Sequence, residues 1–192
     1  MRNSYETFHA LCQSRRSHRK FSSKPVPDEK ISKILETAAT SPFASGRKNW
    51  KIMVIRDRDV CRDMVETIRQ QTERMATDME PEMALMFKRY VSNFTQFADV
   101  SALLLPIFRV APVMRSLLRD RLTPSLQSWE RDNSVKSISC VAMLILLAAE
   151  SLGLGACYMT GPLIAGEELA QIIGLPVGQE IGAIIPIGYP LK

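Results

Sequence analysis

A chain of 192 residues, 46% hydrophobic and 23% charged, can bury a substantial core, which excludes a disordered polypeptide and suits a single domain over 1–192. The net charge of +5 points to an anionic partner, but acidic residues are interspersed throughout, so a small phosphorylated molecule satisfies it and no nucleic-acid partner is expected. Four scattered cysteines and two histidines, His9 and His18, lack metal-ligand spacing, so no metal is expected.

Tyr5, Phe8, Leu11 and Cys12 recur at helical spacing and predict a first helix ending near Ser14, with no signal-peptide core before it. The run Arg15-Arg16-Ser17-His18-Arg19-Lys20-Phe21 follows. Its forks and hydroxyl could anchor a phosphate; standing alone, it reads better as a solvated basic face. Pro25-Val26-Pro27-Asp28 leads into a second helix marked by Ile31, Ile34, Leu35 and Ala38, with Asp28 and Glu29 placed as the helix dipole prefers. That helix stops at Ser41-Pro42. A basic loop then runs to Asn49, and Trp50 opens Lys51–Ile55, whose β-branched content predicts a central strand.

Helical spacing returns over 57–79, and a further helical piece is expected over 82–97. The methionines of this region read as core filler rather than as a binding surface. Val100 to Phe108 predicts a second strand with Pro106 at an edge, a bulge or the strand's end. Ala111 to Asn133 mixes leucines and arginines around Pro124 and is a candidate cover over a pocket or a partner-binding arm.

From Ser134 the chain reads as a helix buried on most sides, stopped by Gly153 and Gly155 and followed by a short buried strand at 156–159. Cys12 and Cys140 lie on apolar helical faces and are expected to be packed free thiols, as suits a reducing compartment. The most apolar run, Ile138 to Ala149, is shorter than the ~20 residues of a bilayer span, so a cytoplasmic protein without a membrane partner is expected. Thr160-Gly161-Pro162 makes a tight bend whose free N–H groups could face a planar molecule, although a plain glycine stop explains it as well. A small helix over 167–173 and a last strand over 182–189 complete an α+β plan of helices interleaved with about four strands. Neither G-x-G-x-x-G, G-x-x-x-x-G-K-[ST] nor G-x-S-x-G occurs, which disfavours the common dinucleotide, P-loop and hydrolase folds.

Several separated motifs together resemble the FMN-dependent nitroreductase family. They are Arg15-Arg16-Ser17-His18-Arg19-Lys20-Phe21, Pro25-Val26-Pro27-Asp28-Glu29, the stretch from Pro42 to Trp50, Ala148-Ala149-Glu150-Ser151-Leu152-Gly153-Leu154-Gly155, Gly174-Leu175-Pro176 and Gly188-Tyr189-Pro190, in the family's order. The resemblance implies a nitroreductase-like α+β fold with a mixed or antiparallel sheet, a homodimer, FMN in interfacial sites and NADH or NADPH as co-substrate. Arg15, Ser17 and Arg19, with Arg16, match positions that hold the FMN phosphate and pyrimidine edge; Pro42, Phe43, Ala44, Ser45 and Gly46 match a loop that reaches the partner's flavin; Thr160 and Gly161 match the bend beside flavin N5. Hydride would pass from NAD(P)H through N5 to a small-molecule acceptor such as a nitroaromatic or quinone, with no catalytic side chain required. Other chemistry known on this fold, namely dehalogenation, flavin fragmentation or azoline oxidation, and a non-catalytic flavin-binding role are the alternatives. The chain departs from the family at Phe43, Gly46, Lys48 and Asn49, and it carries only Leu191 and Lys192 beyond Gly188-Tyr189-Pro190, where many members continue with basic residues.

Overall fold

A computed structural model describes residues 3–43, 49–110 and 113–191. Seven α-helices and five strands occur among them: α1 (Ser4–Ser14), α2 (Asp28–Ala38), β1 (Trp50–Ile55), α3 (Arg58–Thr77), α4 (Pro81–Val91), β2 (Ala102–Arg109), α5 (Val113–Leu118), α6 (Pro124–Ser151), β3 (Gly155–Ala156), α7 (Gly166–Ile172), β4 (Gln179–Ile181) and β5 (Ile185–Gly188). The strands form one antiparallel sheet in the order β1-β2-β5-β3, with β4 also pairing β2.

β2, not β1, is the centre of the sheet, and its sequence says why. Ala102, Leu104 and Phe108 enter a core shared with α2 and α6, whereas Leu103, Leu105 and Ile107 enter a second core against α3 and α7. A strand covered on both faces has no solvated side, so the run is apolar from Ala102 to Phe108 and only the terminal Arg109 is exposed. Complete burial of each such side chain contributes about 1.5–3 kcal/mol. β1 has β2 as its one strand neighbour among the described residues and exposes Lys51. Pro106 sits within β2 where the flanking ladder breaks, between the residues paired with β5 and those paired with β4; its carbonyl accepts the N–H of Gly182 at 2.7 Å. The expected last strand over 182–189 is β5, shortened to Ile185–Gly188, and β4 lies before it at Gln179–Ile181, which was not expected.

The long helix begins at Pro124, ten positions before the expected Ser134, because Thr123 caps it by accepting the Leu126 N–H and Pro124 needs no donor at the first turn. The segment 111–133 is therefore partly the start of α6. By length and composition alone α6 is sufficient to cross a bilayer, yet Ile138, Val141, Ala142 and Ile145 are buried in the core against α2 and the sheet. It stops as expected: Gly153 is left-handed at φ 69° and donates to Glu150 O, and Leu154 N donates to Ala149 O at 2.9 Å. α4 ends at Val91 rather than Phe97, and residues 92–99 form turns.

Two expectations about packing are corrected. Cys12 and Cys140 are exposed, because no residue of α1 is buried and Cys140 lies on the face of α6 turned from the core; Cys61 and Cys157 are the buried thiols. Met64 is core filler, but Met83 and Met86 of α4 are exposed.

Candidate functional site

The basic run leaves α1 in extended backbone at Arg15, with φ −54° and ψ 132°. Ser17 then bridges Ala156 in parallel, and His18 N donates to Ala156 O at 2.9 Å. The chain continues beside the carboxyl-terminal segment: Ser22 N donates to Tyr189 O at 2.8 Å and Leu191 N to Lys20 O at 3.1 Å. This approach needs a glycine at 155, where a Cβ would stand 2.9 Å from His18 Cβ.

Residues alternate sides in extended backbone, so Arg15, Ser17 and Arg19 are set apart from Arg16. The surroundings of Cys157 agree. Burial pushes its thiol up, opposed by Arg19, by a hydrogen bond with Ser17 and by Arg15. The charges of Arg19 and Arg15 are thus felt at this buried thiol. The Arg16 fork folds back onto the end of α1, donating to Gln13 O and to Arg15 O, the latter at 2.9 Å. There it meets the negative end of the helix.

From Ala156 the chain reaches the bend within five residues, a span of at most about 17 Å. Met159 and Ile184 exchange backbone hydrogen bonds of 3.1 and 2.9 Å and hold the bend to the sheet. Thr160 is exposed, and the N–H groups of Thr160 and Gly161 have no partner among the described residues. The ring of Phe94 backs Gly161, occupying the space a Cβ would take. The early basic run and the late bend therefore belong to one side of the molecule, beside β3. Donors for a phosphate at one end and free N–H groups at the other, within such a span, fit a flavin mononucleotide.

Pro42 and Phe43 lie elsewhere. Phe43 packs against Trp50, centroids 6.3 Å apart and tilted by 31°, which places it by β1. β1 and β3 are opposite edges of the four-strand path, about 14 Å apart at ordinary strand spacing. One chain does not bring Phe43 to Arg15. Ala44, Ser45 and Gly46 lie outside the described residues.

A cleft of about 760 Å³ is lined by Gln71, Arg131, Glu167, Glu168 and Glu180 with neighbours and contains none of these residues. Its carboxylates, with Glu180 already paired to Arg131 at 2.7 Å, suit a phosphate poorly. A smaller hollow of about 210 Å³ lies between Arg19, Phe21 and the turn Thr95–Val100. Among the described residues no cluster of three or more His, Cys, Asp or Glu could hold a metal.

Sequence reasoning missed Cys157 and Phe94. Cys157 has no motif of its own; a bridge between residues 17 and 156 reveals it. Phe94 and Phe97, three apart, resemble the buried side of a continuing helix.

Comparison with known proteins bears on the family and the fold. The profile of the Nitroreductase family matches residues 12–189. The iodotyrosine deiodinase of Danio rerio is 27% identical over 187 residues, covering 96% of this chain and 60% of that protein, so the chain spans about three fifths of that relative's length. The crystal structure of a BluB-like flavoprotein from Clostridium difficile 630 superposes with a TM-score of 0.83 at 22% identity, covering 96% of this chain and 90% of the other. An oxidized iodotyrosine deiodinase bound to FMN and 3-iodo-L-tyrosine gives 0.72 at 18% identity, with coverages of 96% and 90%.

Proposed function

The chain belongs to the Nitroreductase family, and from that premise we propose that it is an FMN-dependent oxidoreductase acting as a homodimer of single-domain subunits. One observation carries the reading: Ser17 bridges Ala156, which sets the Arg15–Arg19 run beside the backbone that, four and five residues on, carries two N–H groups with no partner among the described residues. Bound FMN supplies reversible two-electron chemistry; the chain's residues bind it, orient it and select what reaches it.

Arg15 and Arg19 hold the phosphate and pyrimidine edge with Ser17 donating its hydroxyl proton, each charge-assisted bond contributing about 1.5–3 kcal/mol. Arg16 stabilises the carboxyl end of α1. The Thr160 and Gly161 N–H groups point their dipoles at the planar ring, where they favour added negative charge. No side-chain acid or base is assigned, and protons come from water or from the acceptor.

The homodimer is supported by surfaces that one chain leaves uncovered. Tyr5 and Phe8 of α1 are 67% and 56% exposed, and Trp129 and Met143 of α6 are 53% and 49% exposed. A second copy covering them forms the interface, and the family resemblance implies that the loop beginning at Pro42-Phe43 then reaches the other subunit's flavin.

Two acceptor chemistries are in contention. Reduction of a nitroaromatic or quinone at the expense of NAD(P)H is the first. Reductive dehalogenation of an aromatic is the second, favoured by the resemblance to iodotyrosine deiodinases. Anaerobic reduction of the FMN-loaded protein with NADH, NADPH or dithionite, followed by p-nitrobenzoate, menadione or 3-iodotyrosine, separates them. Rapid bleaching by NAD(P)H and reoxidation by the first two acceptors supports the first reading. Sluggish bleaching by NAD(P)H, with iodide release after dithionite, supports the second. A protein that neither binds FMN nor perturbs its spectrum overturns both.

A further inference from the structure

The turn after α4 touches both ends of the proposed cofactor site. At one end, Thr95 to Val100 form a wall of the hollow that contains Arg19. At the other, the Phe94 ring lies so close to Gly161 that a Cβ there would stand 2.2 Å from Phe94 Cε1 and 2.4 Å from Cζ. No side chain fits between them. Phe94 is held in turn. It is 9% exposed, its N–H donates to Val91 O at 2.9 Å, and Tyr90 meets its ring edge-on, with centroids 5.3 Å apart and planes at 75°. Phe94 shares its core cluster with Cys157 and Met159, on one face of the sheet.

Pro162 leaves the bend without one donor, and the N–H groups of Thr160 and Gly161 have no partner among the described residues. Each N–H lies in a planar peptide unit whose carbonyl is bonded: the Thr160 carbonyl accepts the Leu163 N–H at 3.0 Å and the Met159 carbonyl accepts the Ile184 N–H at 2.9 Å. The ring behind Gly161 holds the same unit by contact, since the chain cannot relax into space that the ring fills.

On the FMN reading, we propose that Phe94 is a positioning residue that sets the reduction potential of the bound flavin by holding the Gly161 N–H on the ring, with Tyr90 bracing Phe94. Reduction adds two electrons and a proton to the isoalloxazine and raises its electron density, so a donor aimed at it binds the reduced form more strongly than the oxidised one. A loosened donor loses that difference and the potential falls.

The test is an equilibrium titration with dithionite and a reference dye on FMN-loaded wild type, Phe94→Ala, Phe94→Leu and Tyr90→Ala, with FMN affinity measured in parallel. Phe94→Ala is expected to lower the reduced-to-oxidised ratio at fixed potential about tenfold, a fall of about 30 mV for a two-electron couple. Phe94→Leu should recover part of this. Tyr90→Ala, an exposed position whose loss the fold tolerates, should produce about a threefold change. A purely structural Phe94 would weaken both redox forms of FMN equally and leave the potential unmoved, which overturns the proposal. If Phe94→Ala does not fold, an unchanged potential in Tyr90→Ala overturns it. Failure of wild type to bind FMN at all refutes the cofactor reading instead.

Discussion

The two edges of the sheet are built differently. β3 is two residues long, yet its edge is occupied by the chain itself: Ser17 bridges Ala156, and Phe21 bridges Pro190. The basic run lies against it, and the bend whose Thr160 and Gly161 N–H groups have no partner among the described residues follows it. β1 is six residues long, and among the described residues no strand pairs its outer side. It leads back only to Phe43 and the loop before it. On the proposed reading each edge carries part of a site, and their separation of about 14 Å across the sheet means that a complete site takes one edge from each of two chains.

The largest effect should come from stripping the β3 edge. Arg15→Ala with Arg19→Ala removes two charge-assisted interactions of about 1.5–3 kcal/mol each, so the Kd for FMN, followed by quenching of flavin fluorescence, should rise about 10²- to 10⁴-fold. A rise below tenfold would mean that this edge does not hold the phosphate.

Complementation can break the comparison outright. An Arg15→Ala chain and a Phe43→Ala chain, each poor in bound flavin, should on unfolding and refolding together regain occupancy in about a quarter of the sites, since half of randomly formed dimers are mixed and each has one intact site. No gain on mixing, with dimers present by light scattering, would place both edges in the same subunit's site.

The two buried thiols carry the contrast in electrostatic form. Cys157 is pushed up by burial but opposed by Arg19, Ser17 and Arg15; Cys61 is pushed up to about 11 by burial, then by Asp57 and Asp99. A thiol whose folded pKa lies above its unfolded value near 9 gives stability that is fully present below pH 9 and lost as pH climbs towards 11. Cys61→Ala should therefore be less stable than wild type at pH 8, and urea denaturation should show that gap narrowing by about 2–3 kcal/mol between pH 9 and 11. Cys157→Ala should show a smaller narrowing. Equal narrowing would mean that the arginines do not reach Cys157.

Periodicity and punctuation made much of the fold legible. Ile31, Ile34 and Ala38 marked α2; Gly153 and Gly174, both left-handed, marked the ends of α6 and α7. Depth in the sheet was not legible, because β1 and β2 both read as apolar runs and only pairing decides which is central. Half of the candidate site could be read because ordered motifs carry it. The other half depends on contacts between residues far apart in the chain. Ser17 beneath Ala156 and Phe94 behind Gly161 leave no local pattern. Pro124 looked like a divider and is instead the first residue of α6, since a proline that breaks a helix and one that begins it look alike without the cap at Thr123.

The smallest effect is the most selective. Arg16 stands between Arg15 and Ser17 in the run, and composition treats it as equivalent to its neighbours; its guanidinium instead donates to Gln13, Ser14 and Arg15 carbonyls at the end of α1. Those carbonyls have no helical partner, and a cation there contributes about 0.3–1 kcal/mol. Arg16→Ala should therefore lower the unfolding free energy by less than about 1 kcal/mol while leaving the Kd for FMN within about threefold of wild type. The contrast with Arg15→Ala matters more than either value, because the two residues share charge and sequence position within one step. A loss of flavin affinity in Arg16→Ala comparable to that in Arg15→Ala would show that the run acts as a diffuse positive surface, whereas a large difference requires the alternation that extended backbone imposes beside Ala156.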